Sequence, residues 1–241
     1  DINKGVALVG GTNYASGGAE TSLNTPVPGF PGATTFSLQS QVSFFLSTTA
    51  VVDSSALYVV QGGANNVRRL LATGAALDPL TVAQEAAAYA SDVGGLVEQL
   101  QTAGAQNIIV WNTPNAGLTP EVLSFGPVAS FLATSVSNQF NNALATRLVG
   151  EVGVQTFDIA GAFGAGAGFT NVTDACGNNA AGCGLNPLFW DGIHPTAAAH
   201  ALIAQGVLAL AVPVPEPSTY AMLLMGLLAC GTAVRRQRVK R

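Results

Sequence analysis

The chain has 241 residues, 49% of them hydrophobic and only 9% charged. That length supports one α/β domain with its own core, and the sparse charge excludes a highly charged disordered chain. Five of the nine basic residues fall in the last seven positions, so residues 1–234 carry four bases against thirteen acids, a balance that argues against nucleic acid as a partner.

In chain order, Phe36–Thr49 has apolar residues near helical spacing and predicts a helix. Ser55–Gly63, "SALYVVQGG", is a short apolar run punctuated by glycines and predicts a buried strand. Pro79–Gly104 predicts a long amphipathic helix, with Thr81 as one possible cap and Gly104 as its stop. Gln106–Pro114 predicts a second buried strand, Pro127–Val149 another helix, and "GVQTFDI" (Gly153–Ile159) a third strand. A loop-rich stretch then leads to Asp191, and Pro195–Val212 predicts the last helix. Alternating helices and solidly apolar strands imply a parallel sheet covered on both faces, with ligands outside the carboxyl ends of the strands.

Four stretches carry polar chemistry at such ends. "GTNYASGGAET" puts Gly17 and Gly18 in a turn whose backbone N–H groups can point outward. "VVQGGANN" closes a strand with Gly63, Asn65 and Asn66, and "VWNTPNAG" closes the next. "DGIHPT" holds Asp191 and His194 ahead of the last helix. In an Asp-x-x-His turn the carboxylate reaches imidazole Nδ1–H, fixes the tautomer, and leaves Nε2 free to take a proton. Pro195 stiffens that turn and can open the following helix. The amide of Asn65 and the N–H of Gly17 are donors of the type that stabilise a developing oxyanion, by roughly 3–4 kcal/mol each. Taken singly, each stretch has a plainer reading as an ordinary hydrogen-bonded turn or loop.

Cys176 and Cys183 bracket the loop "CGNNAAGC", while Cys230 sits in an apolar tail. Two cysteines closing a small loop read as a disulfide in an oxidising compartment. Free thiols are one alternative. A zinc site with His194 and His200 is another, although the cysteine spacing is wider than zinc motifs use.

The tail has its own logic. Val212–Pro217 is proline-rich and stops the preceding helix. Ser218–Val234 gives seventeen residues without a charge, near the lower limit for a membrane-spanning helix, and the cations that follow place that end on the cytoplasmic side. Pro215-Glu216-Pro217, the apolar run and the terminal arginines together resemble the PEP-CTERM sorting signal of Gram-negative bacteria. The resemblance implies export, transient anchoring in the inner membrane, and removal of the tail by an envelope sorting protease. It divides the chain into a body, 1–212, and a sorting tail, 213–241. An N-terminal secretion signal is expected with such a tail, and "DINKGVALVGG" does not have the form of one.

The body resembles the GDSL or SGNH hydrolase family. The resemblance rests on Asn13–Ala19 ("NYASGGA"), on Gly63-Ala64-Asn65-Asn66, on Gly168–Cys176 ("GFTNVTDAC") and on Asp191–Thr196 ("DGIHPT"). It implies a three-layer α/β/α sandwich of flavodoxin-like type and hydrolysis of carboxylic esters through an acyl-enzyme, without metal or organic cofactor. Small esters, lipids or acylated polysaccharide are the substrates it suggests. Carried over, Gly17 and Asn65 become oxyanion-hole donors, His194 the general base, and Asp191 its orienter. Two departures stand out. Asn66 occupies a position where the family usually has Asp, and the chain contains no Gly-Asp-Ser to supply the nucleophile. Ser16 matches a variable position instead. The nucleophile, and with it a first strand of the sheet, is therefore expected upstream of Asp1. A non-catalytic envelope or matrix protein on the same scaffold is the competing reading.

Overall fold

The computed structural model describes residues 12–27, 29–163, 168–177, 183–184, 186–211 and 225. Its elements run β1 (Thr25–Pro26), β2 (Thr34–Thr35), α1 (Leu38–Thr48), β3 (Leu57–Val60), α2 (Ala64–Ala72), α3 (Pro79–Ala103) and β4 (Asn107–Trp111). They continue with α4 (Pro120–Leu123), α5 (Pro127–Arg147), β5 (Val154–Phe157), α6 (Ile159–Ala162), β6 (Asn171–Ala175), β7 (Pro187–Phe189) and α7 (Ala197–Ala211). Short 3-10 turns at Ala75–Leu77 and Ala116–Leu118 complete the described chain.

The three predicted apolar runs form one parallel sheet in the order β3-β4-β5, with Tyr58 opposite Ile108 and Ile108 opposite Val154. Strand side chains alternate between faces, and two separate cores result. Val60, Ile108 and Val110 join Val67, Leu70, Tyr89, Val93, Phe140 and Leu144 from α2, α3 and α5. On the opposite face, Ile109 and Phe157 meet Ile203 and Val207 of α7. The fold is thus helices, sheet, helices, the α/β arrangement expected. Each fully buried side chain of this size contributes about 1.5–3 kcal/mol, which is why the helices need little intrinsic propensity.

Several details depart from the sequence-based expectation. Asp78, not Thr81, caps α3: its carboxylate accepts from the N–H of Leu80 and Thr81 at 3.2 and 3.3 Å. The Thr81 hydroxyl merely donates to the same carboxylate, at 2.5 Å. Pro79 then fills the first helical position, where its missing N–H costs nothing. Gly104 does stop the helix, in the left-handed conformation (φ +115°). The stretch read as loop-rich contains the parallel pair β6 and β7. Among the described residues β3 is not covered on both faces: Leu57 and Val59 are 41% and 47% exposed, and α7 lies over β4 and β5. Helix α2 forms where the sequence showed only a Gly/Asn turn. Finally, α7 begins at Ala197, not Pro195, with the Thr196 hydroxyl accepting from Ala199 N–H at 3.3 Å. Pro195 pairs with Phe189 in a β-bridge instead.

Among the described residues, no helix is long and apolar enough to cross a membrane. The predicted span Ser218–Val234 lies outside them apart from Met225.

Candidate active site

The loop around His194 is the tip of a tight hairpin. Trp190 N–H donates to His194 O at 2.8 Å, and Thr196 N–H to Leu188 O at 2.8 Å. Asp191 closes the tip with both carboxylate oxygens. Oδ1 accepts from the N–H of Ile193 and His194 at 2.8 and 2.7 Å, an Asx turn that needs no other part of the fold. Oδ2 lies 2.7 Å from His194 Nδ1. Partial burial pushes the Asp191 carboxyl upward, but the hydrogen bonds from the His194 ring and from the N–H of Ile193 and His194 outweigh it. The net effect holds the group below the ordinary carboxylate value. An ionised carboxylate only accepts, so Nδ1 must carry a proton, and a ring holding that single proton offers its lone pair at Nε2. The His194 side chain is 67% exposed, and Nε2 has no partner among the described residues.

Disulfide-bonded Cys176 and Cys183 sit beside this loop. Cys176 N–H donates to Phe189 O at 3.1 Å and Gly177 N–H to Trp190 O at 2.6 Å, so the bonded segment abuts Asp191 directly. The cysteines are therefore neither free nor metal-bound here, and His200 lies exposed on α7. Among the described residues no cluster is suited to hold a metal ion.

The donor half is built differently. Gly17 and Gly18 form a turn closed by Ala19 N–H to Ser16 O at 3.2 Å, with Gly18 at φ +83°. Gly17 is exposed, with open space where a side chain would stand. The strand-to-helix corner after β3 is made by Gly63 at φ +102°, where a Cβ would lie 2.5 Å from Thr113 Oγ1 and 2.7 Å from the Tyr89 ring. That corner launches α2, whose side chains hold three consecutive residues of the glycine-turn segment. Asn65 Nδ2 donates to Ala19 O at 3.0 Å, Arg69 Nε to the buried Glu20 carboxylate at 2.8 Å, and Asn66 pairs with Thr21. One Asn65 N–H is thus fixed against the turn and the second remains to donate elsewhere.

Among the described residues, no hydrogen bond joins His194 directly to Asn65 or Gly17. The halves are linked through α4: Glu121 N–H donates to Gly192 O at 2.9 Å, and the Glu121 carboxylate takes Arg68 of α2 at 3.2 Å. A groove between α1 and α3, lined by residues including Leu46, Val51, Gly95 and Glu98, contains none of these groups. Sequence reasoning missed Thr21, Asp92, Arg68 and Glu121. Only the i, i+3 placement of Val67, Leu70 and Leu71 could have revealed α2, and nothing local marks its partners.

Comparison with known proteins settles the class. Residues 2–207 match the GDSL-like lipase/acylhydrolase family, and residues 213–238 match the PEP-CTERM protein-sorting motif. The chain belongs to the GDSL-like lipase/acylhydrolase family, a family of ester-acting hydrolases, and carries a C-terminal sorting motif associated with export to the Gram-negative envelope. It is also 28% identical, over 239 aligned residues, to a protein of Pseudomonas putida described as an uncharacterized protein in the trpE-trpG intergenic region. That match covers 84% of this chain but only 38% of the relative's length.

Proposed function

We propose that the body hydrolyses carboxylic esters by acyl transfer, with His194 as general base, Asp191 as its orienter, and Gly17 N–H with the second Asn65 Nδ2–H as oxyanion donors. The observation that carries the reading is the 2.7 Å contact between Asp191 Oδ2 and His194 Nδ1 in a turn whose other oxygen is already fixed. In this reading a serine hydroxyl gives its proton to Nε2 as its oxygen bonds to the ester carbon. The carbonyl oxygen takes the charge and accepts from the two donors, each worth roughly 3–4 kcal/mol. Collapse expels the alcohol, which takes the proton from His194. Water then repeats the sequence on the acyl-enzyme and releases the acid.

No serine of the described chain bonds His194, and the reading assigns the nucleophile to sequence preceding Asp1. The test is hydrolysis of p-nitrophenyl acetate and butyrate by the protein expressed with that upstream sequence. Turnover that His194→Ala lowers by roughly 10³-fold or more is the expected result. An inactive protein would instead support the non-catalytic envelope reading.

For the tail, we propose that Ser218–Val234 anchors the exported precursor in the inner membrane until a sorting protease removes it. The order of Pro215-Glu216-Pro217, apolar run and cations supports this. Mass spectrometry of the envelope-recovered protein should show a chain ending before the apolar run. An intact C-terminal Arg241 on that protein would refute it. Acylated polysaccharide and lipid are the natural substrates this location suggests.

A further inference from the structure

Thr21 is fully buried and Asn66 is 5% exposed, and the two bond reciprocally. Thr21 N–H donates to Asn66 Oδ1 at 3.3 Å, and Asn66 Nδ2 donates to Thr21 Oγ1 at 3.2 Å. The Thr21 hydroxyl then donates to Asp92 Oδ2 of α3 at 2.7 Å, and Asp92 Oδ1 accepts from Gln39 Nε2 of α1 at 3.2 Å. A hydroxyl has one proton. With that proton committed to Asp92, the Thr21 oxygen can only accept from residue 66, so residue 66 must be a donor as well as an acceptor. Asparagine meets both needs; aspartate meets one.

We infer that Asn66 and Asp92 are a matched pair of positioning residues, which fix the polarity of this buried chain and so hold the Gly17–Ala19 turn against Asn65. The inference rests on the proposed role of Gly17 and Asn65 as oxyanion donors. The pair touches no substrate. It acts through Thr21, two residues from the Ala19 carbonyl that anchors the Asn65 amide.

The charge layout makes this testable by exchange. In Asn66→Asp two carboxylates compete for one hydroxyl proton, and the Thr21 oxygen loses its donor. In Asn66→Asp with Asp92→Asn the chain reverses: Thr21 donates to the carboxylate at 66 and accepts from the amide at 92. Every hydrogen bond is then restored. Displacing the donors by a fraction of an ångström weakens transition-state binding more than substrate binding, so the loss belongs in kcat.

The experiment measures kcat, KM and the thermal midpoint for the wild type, the two single variants and the double variant, all on the full-length protein with p-nitrophenyl butyrate. Asn66→Asp should lower kcat by roughly 10- to 100-fold with KM nearly unchanged, and the exchange should restore it to within about threefold. The midpoint should show the same rescue. Additive effects of the two substitutions in an active protein would overturn the pairing and leave the esterase reading intact. Rescue of the midpoint without any change in kcat would reduce the network to a structural one and overturn the positioning role. A wild type without turnover would fail the esterase reading, and the positioning role with it.

Discussion

The two halves of the candidate site owe their geometry to different sources. The Asp191–His194 tip is a local object: four residues, one carboxylate, two backbone N–H groups and one ring, largely exposed. The Gly17–Asn65 half is a tertiary object, held by side chains of α2 and α3 and by backbone N–H groups of α1 converging on residues 19–21. A base that must reach an incoming hydroxyl can afford exposure, because its tautomer is set by a single neighbour. Donors aimed at one oxygen need their backbone immobilised, and only buried contacts from several elements do that.

The largest expected effect breaks the local half without touching the other. Asp191→Asn keeps an oxygen for the N–H groups of Ile193 and His194, so the turn should survive. The remaining arm becomes an NH₂ facing Nδ1, which forces the ring proton to Nε2 and removes the base. Activity should fall by roughly 10³-fold or more, while near neutral pH the protein should stay folded and lose only the stability that the ionised carboxylate contributes. Asp191→Ala should lose activity and the turn together. Acid titration sharpens the same point. The Asp191 carboxyl is lowered in the fold, so its contribution is present above its unfolded value and is lost as pH falls through the folded value. Denaturation curves of Asp191→Asn should lack that acidic step, and an identical step in the variant would show that other carboxyls produce it.

This contrast also explains what was legible in the sequence. The tip was legible because Asp-x-x-His-Pro is a self-contained turn whose chemistry follows from spacing alone. Strands β3 and β4 were legible as apolar runs, and β5, Val-Gln-Thr-Phe with only Phe157 buried, as the next extended stretch in the strand–helix alternation. Asp78 could have been found, since Asp followed by Pro is itself a helix-start signal; Thr81 competed only as another capping type. The β6–β7 pair was hidden by glycine- and asparagine-rich composition, its strands being short and held beside a disulfide. The grip of α2 on residues 19–21 was not legible at all. Asn66 and Thr21 are 45 residues apart, Thr21 and Asp92 are 71 apart, and no periodicity reports contacts at such range.

Two glycines measure how much the tertiary half depends on its corner. Gly63 adopts φ +102° with the Tyr89 ring and Thr113 hydroxyl where a Cβ would go, and both neighbours are buried. Gly63→Ala therefore combines backbone strain with overpacking and should destabilise the protein by about 3 kcal/mol, measured by denaturant unfolding. Because α2 starts at that corner, Asn65 and Asn66 move with it, and kcat should fall in the same variant. Gly17 lacks the positive φ and faces open space, so Gly17→Ala keeps its N–H and should cost well under 1 kcal/mol. If Gly63→Ala unfolds no more easily than Gly17→Ala, the corner is plastic. The donor half would then owe its position to the α2 side chains alone.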